Sequence, residues 1–196
     1  MYYITGVIVG IIFLLSYFPQ LKSLYHSKNI KGISTIFWLL ISVATAITFH
    51  NLFHHGAIWF VQVPQFINAF IALVILLWVS FKKKDIGYMF IYLMVYIFII
   101  TVFVLQNNFD FMQHGASTLI FIAYLLQIIK MVTKKTSEGV NFLLFVGFGL
   151  GLGIMATNIL LTGAPVEAAI TELVNLVMIC IATGATLFYD YKKKLQ

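Results

Sequence analysis

The amino-acid sequence predicts an all-α integral membrane protein with seven transmembrane helices. Of its 196 residues, 62% are hydrophobic and only 9% are charged, and the mean hydropathy is +1.01. A soluble domain carries about 25% charged residues, so this composition excludes the soluble globular class. The apolar runs are continuous and about 20 residues long, as a membrane-spanning helix requires. A membrane β-barrel would instead alternate apolar and polar residues over about ten positions.

The seven spans are predicted at 3–24, 35–54, 58–81, 86–106, 111–132, 141–161 and 166–188. The connections at 54–56, 82–85, 106–108 and 162–165 are short and hold the turn-forming residues. The amino-terminal stretch has no positive region and no small-residue cleavage site, so we interpret it as a first span and not as a signal peptide. Cys180 is the single cysteine, which excludes an intrachain disulfide.

The basic residues predict the orientation of the chain in the membrane. All twelve are lysines, and they form four groups of three: Lys22, Lys28 and Lys31; Lys82, Lys83 and Lys84; Lys130, Lys134 and Lys135; and Lys192, Lys193 and Lys194. Seven spans place all four groups on one side. The positive-inside rule then predicts an outside amino terminus and a cytoplasmic carboxyl terminus. Because the lysines that give the chain its net charge of +6 lie at helix ends, we do not expect a nucleic-acid partner.

A shift of 107 residues overlays spans 1–3 on spans 5–7, which indicates an internal duplication. The matching pairs include polar residues and glycines and not only common apolar types: Gln20 and Gln127, Gly32 and Gly139, Asn51 and Asn158, Asn68 and Asn175. Span 4 has no counterpart, and one extra helix gives both triplets the same orientation. The predicted organisation is a first three-helix bundle at 1–84, a linker helix at 85–107 and a second bundle at 108–196.

The first span carries Pro19-Gln20, which we interpret as a turn, followed by a basic loop and Gly32-Ile33-Ser34. On these residues the chain resembles the PQ-loop superfamily, which includes SWEET sugar transporters, cystinosin-like transporters and KDEL receptors. The second turn departs from the pattern, because Leu126 replaces proline while Gln127 and Gly139 remain. The resemblance implies two bundles facing a central path and transport by alternating access. It also implies hinge or gate roles for Pro19, Gln20 and Gln127.

Asn68 and Asn175 are the leading candidates for contact with a substrate. Each lies ten residues into its span, or about 15 Å along the helix, which is near the bilayer midplane. A polar side chain there must face a neighbouring helix or a wet cavity. In SWEET-like proteins an asparagine on the third helix of each bundle binds substrate, and these two positions match it. The alternative is that both amides only join helices.

Four further residues are predicted to tune selectivity: Gln65, Glu172, Asn51 and Asn158. Gln65 and Glu172 each precede a midplane asparagine by three residues and share its helix face. Burial favours the uncharged form of a carboxyl group. Glu172 is therefore open to three interpretations, as a proton-coupling group, a counter-ion for a cationic substrate or a structural hydrogen-bond donor. Asn51 and Asn158 lie where many SWEET-like proteins carry a tryptophan, which weakens the case for a sugar.

The sequence predicts no enzyme, cofactor or metal site. His50 and His54 have the spacing of metal ligands on a helix, but no carboxylate or cysteine set accompanies them. The glycines at 147, 149, 151 and 153 form two overlapping GxxxG pairs, which favour close helix packing.

The expected function is transport of a small polar solute that is sugar-like, an amino acid, or vitamin- or nucleoside-like, through a uniporter or a proton-coupled transporter in the plasma membrane. The alternative is a non-transporting PQ-loop receptor. Expected partners are the solute, the lipid bilayer and protons, and both a monomer and a homo-oligomer are compatible with the sequence.

Overall fold

The structure is a computed structural model that describes residues 2–54, 56, 59–84, 86–106, 108–162 and 166–195, with the side chains of 2–4, 60, 61, 109, 158, 159, 162 and 166–171 left undescribed. The described residues form seven helices: α1 Tyr2–His26, α2 Thr35–His54, α3 Trp59–Lys82, α4 Ile86–Gln106, α5 Phe109–Lys134, α6 Phe142–Thr162 and α7 Val166–Lys194. Six are long and apolar enough to cross a membrane, and α6 contributes a shorter apolar stretch, Phe142–Thr157. The chain is therefore a helical, multi-pass integral membrane protein. Of the predicted connections, His55, Asp85, Asn107 and 163–165 lie outside the described residues.

Polar side chains before three helices fix where those helices begin. The Ser34 hydroxyl accepts the backbone N–H of Phe37 at 3.2 Å, at the start of α2. The Asn108 side-chain oxygen accepts the N–H of Phe111 at 3.0 Å, at the start of α5. The Asn141 side-chain oxygen accepts the N–H of Leu143 at 3.0 Å, at the start of α6. Such caps satisfy backbone donors that the first helical turn leaves without an intrahelical partner.

Helices α1 and α7 run past the ends that the sequence suggested. Pro19 lies inside α1, which continues to His26, so the predicted turn at Pro19-Gln20 is wrong and the turn follows His26. Proline inside a membrane helix is tolerated where neighbouring groups satisfy the freed backbone. Helix α7 extends beyond residue 188 to Lys194, with three lysines in its last turn. Cations there interact favourably with the helix dipole.

The chain contains two compact units, and the first comprises Met1–Ile33 and Tyr124–Gln196. In this unit α6 packs against both α1 and α7. A Cβ atom at Gly147 would overlap the side chain of Ser16, and one at Gly151 would overlap Phe13, so these two glycines permit the close approach of α1 to α6. The predicted packing role of the glycine pairs is thus confirmed for this pair.

The second unit, Ser34–Ala123, contains α2, α3, α4 and the first part of α5. Helix α2 packs against α3 and α4, and the rings of Phe49 and Phe66 lie 5.3 Å apart at the α2–α3 contact. In contrast, α4 has no buried residue along its described length, so its apolar side chains are left for the lipid. The repeat boundaries at 1–84, 85–107 and 108–196 remain a prediction.

Candidate functional site

The buried side chain of Gln20 joins α1 to the loop that precedes α6. Its Nε2 donates to the backbone carbonyl of Gly139 at 2.8 Å, and its Oε1 accepts the backbone N–H of Asn141 at 2.9 Å. The Asn141 side-chain nitrogen donates in turn to the carbonyl of Pro19 at 3.2 Å. Gln20 is only 1% exposed. Its amide therefore satisfies a buried backbone acceptor at Gly139 and a part-buried backbone donor at Asn141.

Gln127 makes the reciprocal contact from α5. Its Nε2 donates to the backbone carbonyl of Gly32 at 2.8 Å, and this side chain is also 1% exposed. Gln20 on α1 thus bonds to the glycine in the loop after α5, and Gln127 on α5 bonds to the glycine in the loop after α1. Both the two glutamines and the two glycines are separated by 107 residues, which is the shift found in the sequence. We call these two contacts the glutamine clamp.

The two loops of the clamp pack directly on each other. A Cβ atom at Gly32 would lie 2.7 Å from the backbone carbon of Ser137, and one at Gly139 would lie 2.8 Å from the Ile33 side chain. Gly139 also has a φ of +88°, which side chains other than glycine rarely adopt. The Gly32 N–H donates to the carbonyl of Glu138 at 3.2 Å. Glycine is therefore required at both positions, by the available space and, at Gly139, by the backbone.

The clamp is flanked by a polar crevice of about 440 Å³ in the same unit. Here the Lys193 ammonium pairs with the Glu138 carboxylate at 2.9 Å. The Ser137 hydroxyl donates to Asp190 at 2.5 Å. No local sequence pattern predicts these links, because they join residues more than fifty positions apart.

Asn68 lies in α3 of the second unit and is 6% exposed. Its side-chain oxygen has no hydrogen-bond partner among the described residues. A buried amide oxygen without a partner carries a free-energy cost of about 1–3 kcal/mol. In a native structure such a group suggests a ligand, an ion or a water that would satisfy it.

Asn175 and Glu172 lie on α7 of the first unit, where they are 3% and 9% exposed. Their spacing of three residues places them on one face of the helix. In the second unit, Gln65 has the same spacing from Asn68 and is half-buried. Because Asn68 and Asn175 belong to different units, their joint contact with one substrate remains a prediction.

The remaining predicted residues have different outcomes. Asn51, on α2, is 1% exposed, and α2 packs against the helix that carries Asn68. Asn158 belongs to α6, but its side chain lies outside the described residues. The rings of His50 and His54 are 4.3 Å apart. Within the described part of the chain, no group of three or more His, Cys, Asp or Glu side chains could hold a metal ion.

Comparisons of this chain with protein-family models, with curated proteins and with solved structures found no match. The candidate site therefore rests on the residues and geometry of the chain itself: the glutamine clamp in one unit, and buried polar residues on α2, α3 and α7.

Proposed function

We propose that this protein is a transporter of the PQ-loop type that moves a small polar solute across the membrane by alternating access. The glutamine clamp is the observation that carries the proposal. Two turns that bond to each other by equivalent residues, 107 positions apart, are what a duplicated chain would make. In this proposal 1–84 and 108–196 are parallel repeats joined by the helix at 85–107.

Substrate recognition is assigned to Asn68 and Asn175, with Gln65, Glu172, Asn51 and Asn158 tuning selectivity. The Asn68 oxygen supports this role, because it is buried and has no partner among the described residues. An amide offers two donors and an acceptor, which suits hydroxyl groups and other neutral polar groups. The substrate classes are accordingly sugar-like solutes, amino acids, and vitamins or nucleosides. Glu172 is proposed to couple transport to protons.

Solute flux into proteoliposomes tests the proposal. The purified chain is reconstituted, and uptake of labelled sugars, amino acids and nucleosides is measured with and without a proton gradient. Saturable uptake of one class, lost in Asn68→Ala and retained in Gln106→Ala, supports the transporter. Gln106 is a suitable control because its amide is exposed at the end of α4. Saturable binding of a solute without flux would favour a receptor instead.

The proposed orientation has an outside amino terminus and a cytoplasmic carboxyl terminus, following the lysine distribution. Single cysteines introduced at Gly56 and Lys194, in a Cys180→Ala background, test it in intact cells. We expect an impermeant thiol reagent to label the first position and not the second. The reverse labelling would reject the orientation without affecting the proposed transport.

A further inference from the structure

An open groove of about 840 Å³ lies on the protein surface where the end of α1 meets the beginning of α6. We call it the α1–α6 groove. Eight residues line it: Phe18, Pro19, Lys22, Ser23, His26, Ser27, Asn141 and Leu143. All belong to the first unit, and they come from the last third of α1, the residue that follows it and the beginning of α6. The proposed transport function gives this groove no role.

The groove changes from apolar to cationic along its length. Phe18, Lys22 and His26 are spaced four residues apart, so they follow one another along one face of α1 at intervals of about 6 Å. Phe18 is 66% exposed and Leu143, on α6, is 45% exposed, so both present apolar surface to the lipid. The deep end of the groove thus suits an acyl chain, and the shallow end suits a polar headgroup.

The charge of the shallow end is positive. Lys22 supplies an ammonium group, and none of the eight lining residues is acidic. The Nδ1 atom of His26 lies 2.9 Å from the Lys22 carbonyl, which can only accept, so this hydrogen bond holds the imidazole beside Lys22. Helix α6 begins at Phe142, and the positive end of its dipole adds to the field.

The neighbouring polar crevice provides a contrast. Its two lysines, Lys28 and Lys193, are matched by the carboxylates of Glu138 and Asp190, and Lys193 is already paired with Glu138. An anion would therefore gain little there. None of the described residues that line the α1–α6 groove carries a carboxylate, so the positive charge of Lys22 is available to a ligand.

We propose that the α1–α6 groove binds one anionic phospholipid from the surrounding bilayer. Its acyl chain lies along Phe18 and Leu143, and its phosphate lies against Lys22 and His26. Serine hydroxyls at Ser23 and Ser27 supply further polar groups near the phosphate. Basic pockets between membrane helices are known to recognise such headgroups through this combination of charge and adjoining apolar surface.

The lipid site is independent of the repeat. The positions 107 residues after Phe18, Lys22 and His26 are Leu125, Ile129 and Thr133. The second turn therefore has isoleucine, and not a cation, at the position equivalent to Lys22. The residues that form the groove therefore differ between the two turns. Binding of a lipid to the groove can be tested without knowing the transported solute.

Native mass spectrometry of the full chain, released from nanodiscs of mixed phosphatidylcholine and phosphatidylglycerol, tests the proposal. We expect wild-type protein to retain phosphatidylglycerol preferentially. Lys22→Gln should lower that retention about fivefold, the effect of removing one lysine from a membrane-surface contact. Lys22→Arg should keep it. Lys192→Gln is the matched control, because Lys192 is exposed on the same cluster of helix ends and lines neither cavity.

Three results would overturn the proposal. Equal retention in wild-type protein and Lys22→Gln would show that Lys22 does not recognise the lipid. Displacement of the lipid by inorganic phosphate alone would indicate a site for a free anion. A dimer that carries no lipid, and that dissociates in Phe18→Ala, would show that a second copy of the chain occupies the groove.

Discussion

Gln20 and Gln127 each donate a hydrogen bond to the loop that follows the other's helix. Gln20, on α1, bonds to the backbone carbonyl of Gly139 after α5, and Gln127, on α5, bonds to that of Gly32 after α1. The two donor–acceptor distances, to Gly139 and to Gly32, are both 2.8 Å. Each glutamine precedes its own glycine by twelve residues. The clamp joins α1 to the loop that follows α5, and α5 to the loop that follows α1, through backbone groups of the two loops. It therefore depends on loop shape and not on the identity of loop side chains.

Truncating Gln20 should destabilise the protein. Gln20→Ala removes the side-chain partner of the buried Gly139 carbonyl and of the part-buried Asn141 N–H, and each such loss costs about 1–3 kcal/mol. We expect the free energy of unfolding in detergent micelles to fall by about 2–4 kcal/mol. Gln106→Ala, which removes an exposed amide, is the control. Equal stability of the two variants would mean that the clamp contributes nothing.

A methyl group at Gly32 should also open the clamp. Its Cβ would lie 2.7–2.8 Å from three backbone atoms of residues 136–138, which cannot move independently. We expect Gly32→Ala to destabilise the protein by about 1–3 kcal/mol, as overpacking does. Gly153→Ala is the matched comparison, because a Cβ there meets nothing within 4 Å. It should raise stability by about 0.5–1 kcal/mol, since alanine is the better helix former. The reverse order in thermal unfolding would contradict the packing of the loops.

The ion pair beside the clamp should matter much less. Lys193 is 65% exposed and Glu138 is 26% exposed, so solvent screens their attraction. We expect Lys193→Gln to change the free energy of unfolding by less than about 0.5 kcal/mol, the usual range for surface pairs. A loss as large as that of Gln20→Ala, persisting at high salt, would show that the ion pair stabilises the loop as much as the clamp does.

The fold was predictable because the bilayer imposes the length of its helices. Apolar runs and lysine positions locate all seven helices, and only the ends beyond the membrane differ. Helix α7 illustrates this limit: Lys192, Lys193 and Lys194 belong to water by polarity, yet they continue the helix, since lysine is a good helix former. The prediction of a turn at Pro19 is wrong for a related reason. Helix propensity alone does not show which neighbouring groups satisfy the backbone group that a proline leaves without a partner.

The clamp could be predicted only in part. The shift of 107 residues identifies Gln20, Gln127, Gly32 and Gly139 as equivalent positions, but it does not show that each glutamine bonds to the other turn. That choice depends on how the loops pack in three dimensions. The spacing of twelve residues from glutamine to glycine, found in both turns, is the signal that could have suggested paired roles. No comparable signal exists for the α1–α6 groove, whose walls come from two distant helices.

Proton coupling through Glu172 predicts a specific loss in one variant. A glutamine at this buried position resembles the protonated acid but cannot release a proton. We expect uptake by wild-type proteoliposomes to rise with an imposed proton gradient, and uptake by Glu172→Gln to be equal with and without it. Glu138→Gln, at the crevice beside the clamp, should keep the gradient dependence. Gradient-stimulated uptake that persists unchanged in Glu172→Gln would reject the coupling role.

Asn68 provides the sharpest separation of function from structure. Its side-chain oxygen is buried without a partner among the described residues, so replacing the amide with an apolar side chain of similar size removes an unsatisfied group. We expect Asn68→Leu to leave the free energy of unfolding unchanged or higher. Saturable uptake, in contrast, should fall at least about tenfold, because the substrate loses a buried hydrogen-bond partner. If Asn68 only joins helices, the variant will instead lose stability, and any loss of uptake will follow the loss of folded protein.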